Sequence, residues 1–311
     1  MPFIHWIVAI LLAATTAMAV AADPAPRVAF TFDDGPTLAE TPRLTPAQRN
    51  QALLAALAAH GVQAALFVTS GYGADQPEGR ALARAWGEAG HAVGNHTVTH
   101  PDLNAADVTL TQYQRELLAC DAVIAPLPGY RKWFRFTYLR EGNTPEKRDG
   151  MRAFLATHTY RNAYVSLDTS DWRLDALLRN RLARDPQADV EPIRLAYLAH
   201  VAQRAQAYRA LAQRLLGRDA PQVLLLHHNL INALWLNDVI AQFKSQGWQI
   251  VSPETAFADP LYAMQPERAT PGQSLLLSIA RTRGEARIEG WERLVDDGDF
   301  EIDALKARGI E

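Results

Sequence analysis

Seven short apolar runs, separated by stretches with helical spacing, limit what this chain can become. They lie at 28–32, 63–68, 92–94, 133–136, 164–167, 223–226 and 248–251, and each reads as a strand; the continuous apolar run 223–226 has the residues of one buried on both faces. Between the first two, Thr45-Pro46 opens a helix with Ala52, Leu53, Ala56 and Leu57 at helical spacing, closing at His60-Gly61. Further helices are predicted at 81–89, through Tyr113, Leu117, Leu118 and Val123, and from Pro145 through Met151, Phe154 and Leu155. A longer one runs from Ile193 to Leu215 and closes at Gly217. Parallel strands need crossovers long enough to hold a helix, so strands alternating with helices imply a parallel sheet. The expected fold is therefore α/β, and this length of chain can close the sheet into a barrel.

In such a fold, function collects where strands end and loops begin. The polar residues there are Asp33 and Asp34, His96 and His100, Arg135, Asp168 and Asp171, and His227 and His228. Val28-Ala29-Phe30-Thr31-Phe32 stops at the two aspartates, and Gly35-Pro36 turns the chain just beyond them. Neighbours on an extended segment point opposite ways, which gives Asp33 and Asp34 different tasks. A plain surface turn is the competing reading of that stretch alone, and the other strand ends outweigh it. His96 and His100 stand at i and i+4, on one side if their loop takes a helical turn. Asp34 is the natural third ligand of an open, catalytic metal site, and two histidines with one carboxylate suit zinc best. After the run 223–226 the first polar residue is His227, which places it on the rim. His228 then points the other way, and could face solvent or a sugar.

Thr31-Phe32-Asp33-Asp34-Gly35-Pro36, followed by His96-Thr97-Val98-Thr99-His100, resembles the first two motifs of the polysaccharide deacetylases, the NodB-type domains of carbohydrate esterase family four. Arg135-Phe136-Thr137-Tyr138, Asp168-Thr169-Ser170-Asp171-Trp172 and Leu225-Leu226-His227 resemble the remaining three, in the family's order. The resemblance implies a distorted (β/α)7 barrel and a metal-dependent hydrolase that removes acetyl groups from N-acetylated sugars. By the same resemblance Asp34, His96 and His100 would hold Zn2+ or another divalent transition metal such as Co2+. Asp33 would be the general base, oriented by Arg135, and His227 the general acid, held by Asp171. The Tyr138 backbone N–H would complete an oxyanion site, while Trp172 and Leu225 would wall the acetyl pocket. Thr137 departs from the family's proline and is expected to loosen the loop that presents Tyr138. Asp168 is expected to cap a turn. Two rivals are a carbohydrate-binding barrel without turnover and a different zinc-dependent amidase. Binding alone needs no proton-transfer groups, so Asp33, Arg135 and His227 favour the enzyme.

Ile4 to Ala22 is almost wholly apolar and ends in small residues, as a secretory signal peptide does. No Lys or Arg precedes it, so an uncleaved anchor stays as the alternative. The expected division is a signal peptide at 1–22, the deacetylase-like domain at 23–265 and a helical extension at 266–311, packed outside the barrel. The reading is a periplasmic or secreted monomer without stable membrane association once the leader is removed. Its partner would be an acetylated glycan, peptidoglycan- or chitin-like. A formal charge of −3 and the lack of a basic run exclude nucleic acid. Cys120, the single cysteine, reads as an inert buried thiol, and His91 as a structural residue. Tyr72, Trp133 and Trp235 suit core packing better than a sugar cleft. Asp296-Asp297-Gly298-Asp299 lacks the ligand spacing of a calcium loop and reads as a solvated turn.

Overall fold

In the computed structural model, which describes residues 25–267, 272–284, 305, 306 and 310, the elements alternate as expected. β1 (Arg27–Gly35) is followed by α1 (Pro46–Ala59), β2 (Ala65–Val68), α2 (Pro77–Glu88), β3 (Ala92–Asn95) and α3 (Leu110–Ile124). Next come β4 (Tyr130–Phe134), α4 (Pro145–Thr157), β5 (Arg161–Asn162), β6 (Leu167–Asp168) and α5 (Asp171–Arg184). α6 (Glu191–Leu216), β7 (Gln222–His227), α7 (Leu230–Ser245), β8 (Gln249–Ile250), α8 (Pro253–Phe257) and α9 (Leu275–Thr282) complete the order. Thr45 caps α1 through a reciprocal box with Gln48, with Pro46 in the first turn, and Thr109 and Gln112 form the same box on α3.

The strands form one curled parallel sheet in the order β5-β4-β3-β2-β1-β7-β6, with β8 beside the start of β1. This is the distorted (β/α)7 barrel that the motifs imply. The strand expected at 164–167 is instead two short strands on opposite edges of the sheet. The segment changes partner midway: Ala163 donates to Phe134 O at 2.7 Å on one edge, and Ser166 donates to Val223 O at 3.2 Å on the other. The barrel is therefore bridged there rather than closed by a continuous ladder.

Phe30 and Phe32, with Val28 and Ala29, are fully buried, as a sheet covered by helices on both faces requires. Each such large side chain contributes about 1.5–3 kcal/mol on burial. On α3 the buried stripe is Tyr113, Leu117, Cys120 and Ile124, while Leu118 is 43% exposed, contrary to expectation. Leu118 lies one position past the stripe, about 100° around the helix. Cys120 is buried, and burial pushes its thiol up to about 12, so it is inert. Trp133 and Trp235 are core residues. α5 was not expected, because Asp171 and Trp172 read as motif rather than as a helix start.

Register sets the functional end of the barrel. Asp33 lies opposite His227, Val68 opposite Asn95, Asn95 opposite Phe134, and Asp168 opposite Leu225. The motif-bearing strand ends thus share one rim. Leu275, Leu276 and Ile279 of α9 are buried in the main core beside α6, and Leu275 N donates to Val165 O at 2.7 Å. The leader 1–22 and Asp296-Asp297-Gly298-Asp299 lie outside the described residues. Among the described residues no helix is long and apolar enough to cross a membrane.

α2 packs so closely on the turn before β4 that a Cβ on Gly87 would stand 1.8 Å from Pro128 O. Alanine would add up to about 1 kcal/mol of helix propensity but forces overpacking worth about 1–3 kcal/mol. Gly87→Ala should therefore lower the thermal midpoint, and an unchanged or raised midpoint would contradict the packing described.

Candidate active site

A cavity of about 510 Å3 opens at the rim. Asp33, Asp34, His96, His100 and His227 line its polar side, and Tyr138, Trp172 and Leu225 its more apolar side. Arg135 and Asp171 stand behind this wall, Arg135 against Asp33 and Asp171 against His227. The predicted site residues are thus brought together.

Asp34, His96 and His100 offer ligand atoms that lie within 4.8 Å of one another. His96 Nδ1 is 2.8 Å from Arg135 O, which makes Nδ1 the protonated nitrogen and leaves the Nε2 lone pair free. That Nε2 is 3.8 Å from Asp34 Oδ1, and His100 Nε2 is 3.5 Å from the same oxygen. Burial, reinforced by His100, lowers the His96 pKa to about 3, so the imidazole is neutral at pH 7. A neutral, oriented imidazole beside a second histidine and a carboxylate fits a divalent transition metal. The histidines do not meet on a helical turn as the spacing suggested. Thr97 at φ 75° and His100 at φ 58° bend the loop through left-handed backbone. Glu116 on α3 holds that bend, accepting from Val98 N at 2.9 Å, Thr99 N at 2.7 Å and Thr99 Oγ1 at 3.1 Å.

Asp33 is 2% exposed and accepts from Arg135 Nη1 at 2.7 Å. Burial raises its pKa, and the lowering by Arg135 and His227 only partly offsets this. Across the cavity, His227 Nδ1 is 2.6 Å from Asp171 Oδ1. Asp171 Oδ2 accepts from His227 N at 2.9 Å, Asn229 Nδ2 at 3.0 Å and Asn232 Nδ2 at 2.6 Å. Burial would raise the Asp171 carboxyl, but His227 and these donors hold it below the usual range. In turn burial disfavours the His227 imidazolium, and Asp171 more than restores it, leaving the pKa raised. His228 does not face solvent and does not line the cavity that holds Asp33 and His96, although it and His227 both line an adjoining one. It is 1% exposed on the other side of the strand end, with Nε2 3.0 Å from Asn50 Oδ1, and burial lowers its pKa to about 3.

Tyr138 sits at φ 55° on the rim, 51% exposed, with its ring 4.4 Å from that of His100. Thr137 does not loosen this loop. Its N–H donates to Tyr113 OH at 3.1 Å, and its hydroxyl bonds both Tyr113 OH and Pro101 O, tying the Tyr138 loop to the His100 loop. Asp168 Oδ1 accepts from Ser170 N at 3.1 Å, the turn cap expected. His91 is buried, with Nδ1 accepting from Ala64 N at 3.2 Å. Tyr72, expected in the core, is 38% exposed and stacks on His100 with ring centroids 6.2 Å apart, which places it at the cavity mouth. Sequence reasoning also missed Glu116, Thr69, which donates to Asp34 Oδ1 at 3.2 Å, and Asn232. None carries a local signal, because each meets its partner only through the fold.

Removing Glu116 leaves three donors of the His96–His100 loop to water and frees its backbone. Glu116→Ala should weaken divalent-cation binding about 10–100-fold, the scale of loss when a group that orients metal ligands is removed, while Glu116→Gln, which keeps one acceptor, should lose less. Calorimetric titration of the metal-free protein measures both, and parent-like affinity in Glu116→Ala would contradict the assignment.

Comparison with known proteins agrees with this geometry. Residues 21–154 match the family model described as polysaccharide deacetylase. The chitooligosaccharide deacetylase of Sinorhizobium fredii is 44% identical over 81 residues, which is 26% of this chain and 32% of that protein. The peptidoglycan-N-acetylglucosamine deacetylase of Bacillus cereus is 29% identical over 147 residues, 47% of this chain and 46% of that one. The chain therefore spans between about a third and about a half of these relatives. Among solved structures, a peptidoglycan N-acetylglucosamine deacetylase superposes with a TM-score of 0.50 at 22% identity, over 75% of this chain and 88% of its own. A CE4 family pseudoenzyme from Bacillus anthracis has a TM-score of 0.51 at 16% identity, over 76% of this chain and 66% of its own. These two likenesses concern the fold alone. Over residues 21–154, which carry the first three of the five motifs gathered on one rim, the chain is similar to the polysaccharide deacetylases.

Proposed function

We propose that the chain is an exported, metal-dependent N-deacetylase of acetylated glycans, peptidoglycan- or chitin-like. The observation that carries this reading is the division of labour at one cavity. Asp33 is buried against Arg135, while Asp34 faces two histidines, and a second histidine–carboxylate pair stands opposite. Asp34, His96 and His100 would hold zinc, which when bound polarises an acetamide carbonyl and lowers the pKa of an attacking water.

The chain's own groups then divide the proton work. Asp33, fixed by Arg135, takes the proton of the attacking water, and its raised pKa makes it a better base than an ordinary carboxylate. The oxyanion formed on the acetyl carbon meets the Tyr138 backbone N–H, a kind of donor worth about 3–4 kcal/mol in other hydrolases. His227, kept protonated by Asp171, gives a proton to the sugar amine as the C–N bond breaks. Trp172 and Leu225 wall the space beside these groups, where the acetyl methyl would sit. A carbohydrate-binding barrel would have no use for the two proton-transfer pairs, which argues against that rival.

Acetate release from N-acetylglucosamine oligomers and peptidoglycan fragments, measured with and without chelator, tests the reading. Activity should be lost with chelator and return with zinc, and no release from either substrate class would overturn it. The rate should fall at acid pH as Asp33 is protonated, and at alkaline pH as His227 loses its proton, both at raised pKa values. His227→Ala should retain the metal, lose roughly 10²-fold or more in rate and flatten the alkaline limb, whereas His228→Ala should be much milder. A reversal of the two would show that the acid is misassigned. Export rests on the apolar stretch from Ile4 to Ala22. A mature chain beginning between Val20 and Asp23 outside the cytoplasm would support it, and a full-length membrane-bound chain would count against it.

A further inference from the structure

We propose that Gln273, in the C-terminal extension, is a positioning residue for Arg135 and acts through water held in a small cavity that both line. The inference rests on the reading of Arg135 as the residue that orients the base. The cavity offers about 20 Å3 to the centre of a water molecule, and Arg135, Asn162, Tyr164, Gln273 and Leu275 are part of its lining. Gln273 is 4% exposed and Arg135 1%. Both Oε1 and Nε2 of Gln273, Nη2 of Arg135 and Nδ2 of Asn162 are buried without a hydrogen-bond partner.

Buried amide and guanidinium atoms are almost always bonded, and here four unbonded ones belong to three residues that line a single small space. A space at least one water wide, lined by several polar groups, is where a buried water resides. The donor count agrees. Arg135 Nη2 brings two N–H groups and no acceptor, and Gln273 Oε1 brings an acceptor. One water satisfies both, accepting from Nη2 and donating to Oε1. The second lone pair of that water accepts from one of the two amide nitrogens, and a second water accepts from the other.

Gln273 is fixed for this task by its neighbours. Ser274 caps α9, and the next N–H, that of Leu275, donates to Val165 O at 2.7 Å. It does not line the cavity that holds Asp33 and His227, which leaves no direct contact with substrate. The other edge of the guanidinium is anchored by protein, Nε on Ala163 O and Nη1 on Thr31 Oγ1 and Asp33 Oδ1. Water from the extension completes the grip on the Nη2 edge. The extension thereby forms part of the inner wall behind the base rather than a mere outer cover.

The test compares the parent with Gln273→Leu, which fills the space with carbon, and Gln273→Ala, which leaves room for water to replace the amide. Crystal structures should show ordered water between Gln273 and Arg135 in the parent, lost in the leucine variant and extended in the alanine variant. With zinc content and KM unchanged, kcat should fall about tenfold in Gln273→Leu, the scale of loss when a group supporting a site residue is removed. It should stay within about threefold of the parent in Gln273→Ala, since a bridging water is nearly as good as a direct bond. A dry cavity in the parent, parent-like kcat in Gln273→Leu, or a larger loss in Gln273→Ala would overturn the proposal. Ordered water in place with no acetate release by the parent would leave the bridge standing and overturn the deacetylase reading instead.

Discussion

One buried guanidinium holds the working end of the barrel together. Arg135 packs 4.0 Å over the Phe67 ring of β2, bonds Ala163 O on the bridging segment, and reaches Thr31 and Asp33 of β1. Its backbone N–H bonds Asn95 O, and its carbonyl fixes the ring of His96. Thr31 in turn donates to Leu224 O at 2.7 Å, which extends the linkage to β7. A single residue therefore orients both the proposed base and a proposed metal ligand. A buried pair is poor evidence of net stability, but removing one partner costs about 3–5 kcal/mol because the other charge is left uncompensated. Lysine could not replace Arg135, since one ammonium cannot serve three separated acceptors from a plane.

Around this anchor the rim is built from strained backbone. Asp34, Thr97, His100, Tyr138, Leu139 and Ser170 all have positive φ without being glycine. Such residues cost about 1–3 kcal/mol each and persist only where the surroundings over-determine them. Here the surroundings are visible: Glu116 under the histidine loop, Thr137 between two loops, and Thr69 on Asp34. The strain fixes side chains toward one cavity before any substrate arrives, which suits catalysis by preorganised groups. The same fold also occurs in a CE4 family pseudoenzyme. Turnover must therefore be argued from these side chains and not from the barrel.

The strand order and most of the rim were legible in the sequence because buried parallel strands are continuous apolar runs, and the first polar residue marks their end. His227 was separated from His228 on that ground, and Thr45-Pro46 announced α1 through its capping chemistry. The break at 161–168 was not legible, since its cause is a change of hydrogen-bonding partner from β4 to β7. Leu118 was misplaced because one residue of helical phase decides burial. Glu116 and Gln273 have no local pattern at all. Their partners lie 17–18 residues away for Glu116, and across a cavity from Gln273.

The central claim is that the two adjacent aspartates are divided by the strand end into a base and a metal ligand. Zinc content and acetate release of purified Asp33→Asn and Asp34→Asn test it together. The account predicts that Asp33→Asn keeps about one zinc per chain and loses most of its turnover, and that Asp34→Asn loses the metal. Zinc retained by Asp34→Asn and lost by Asp33→Asn would contradict it.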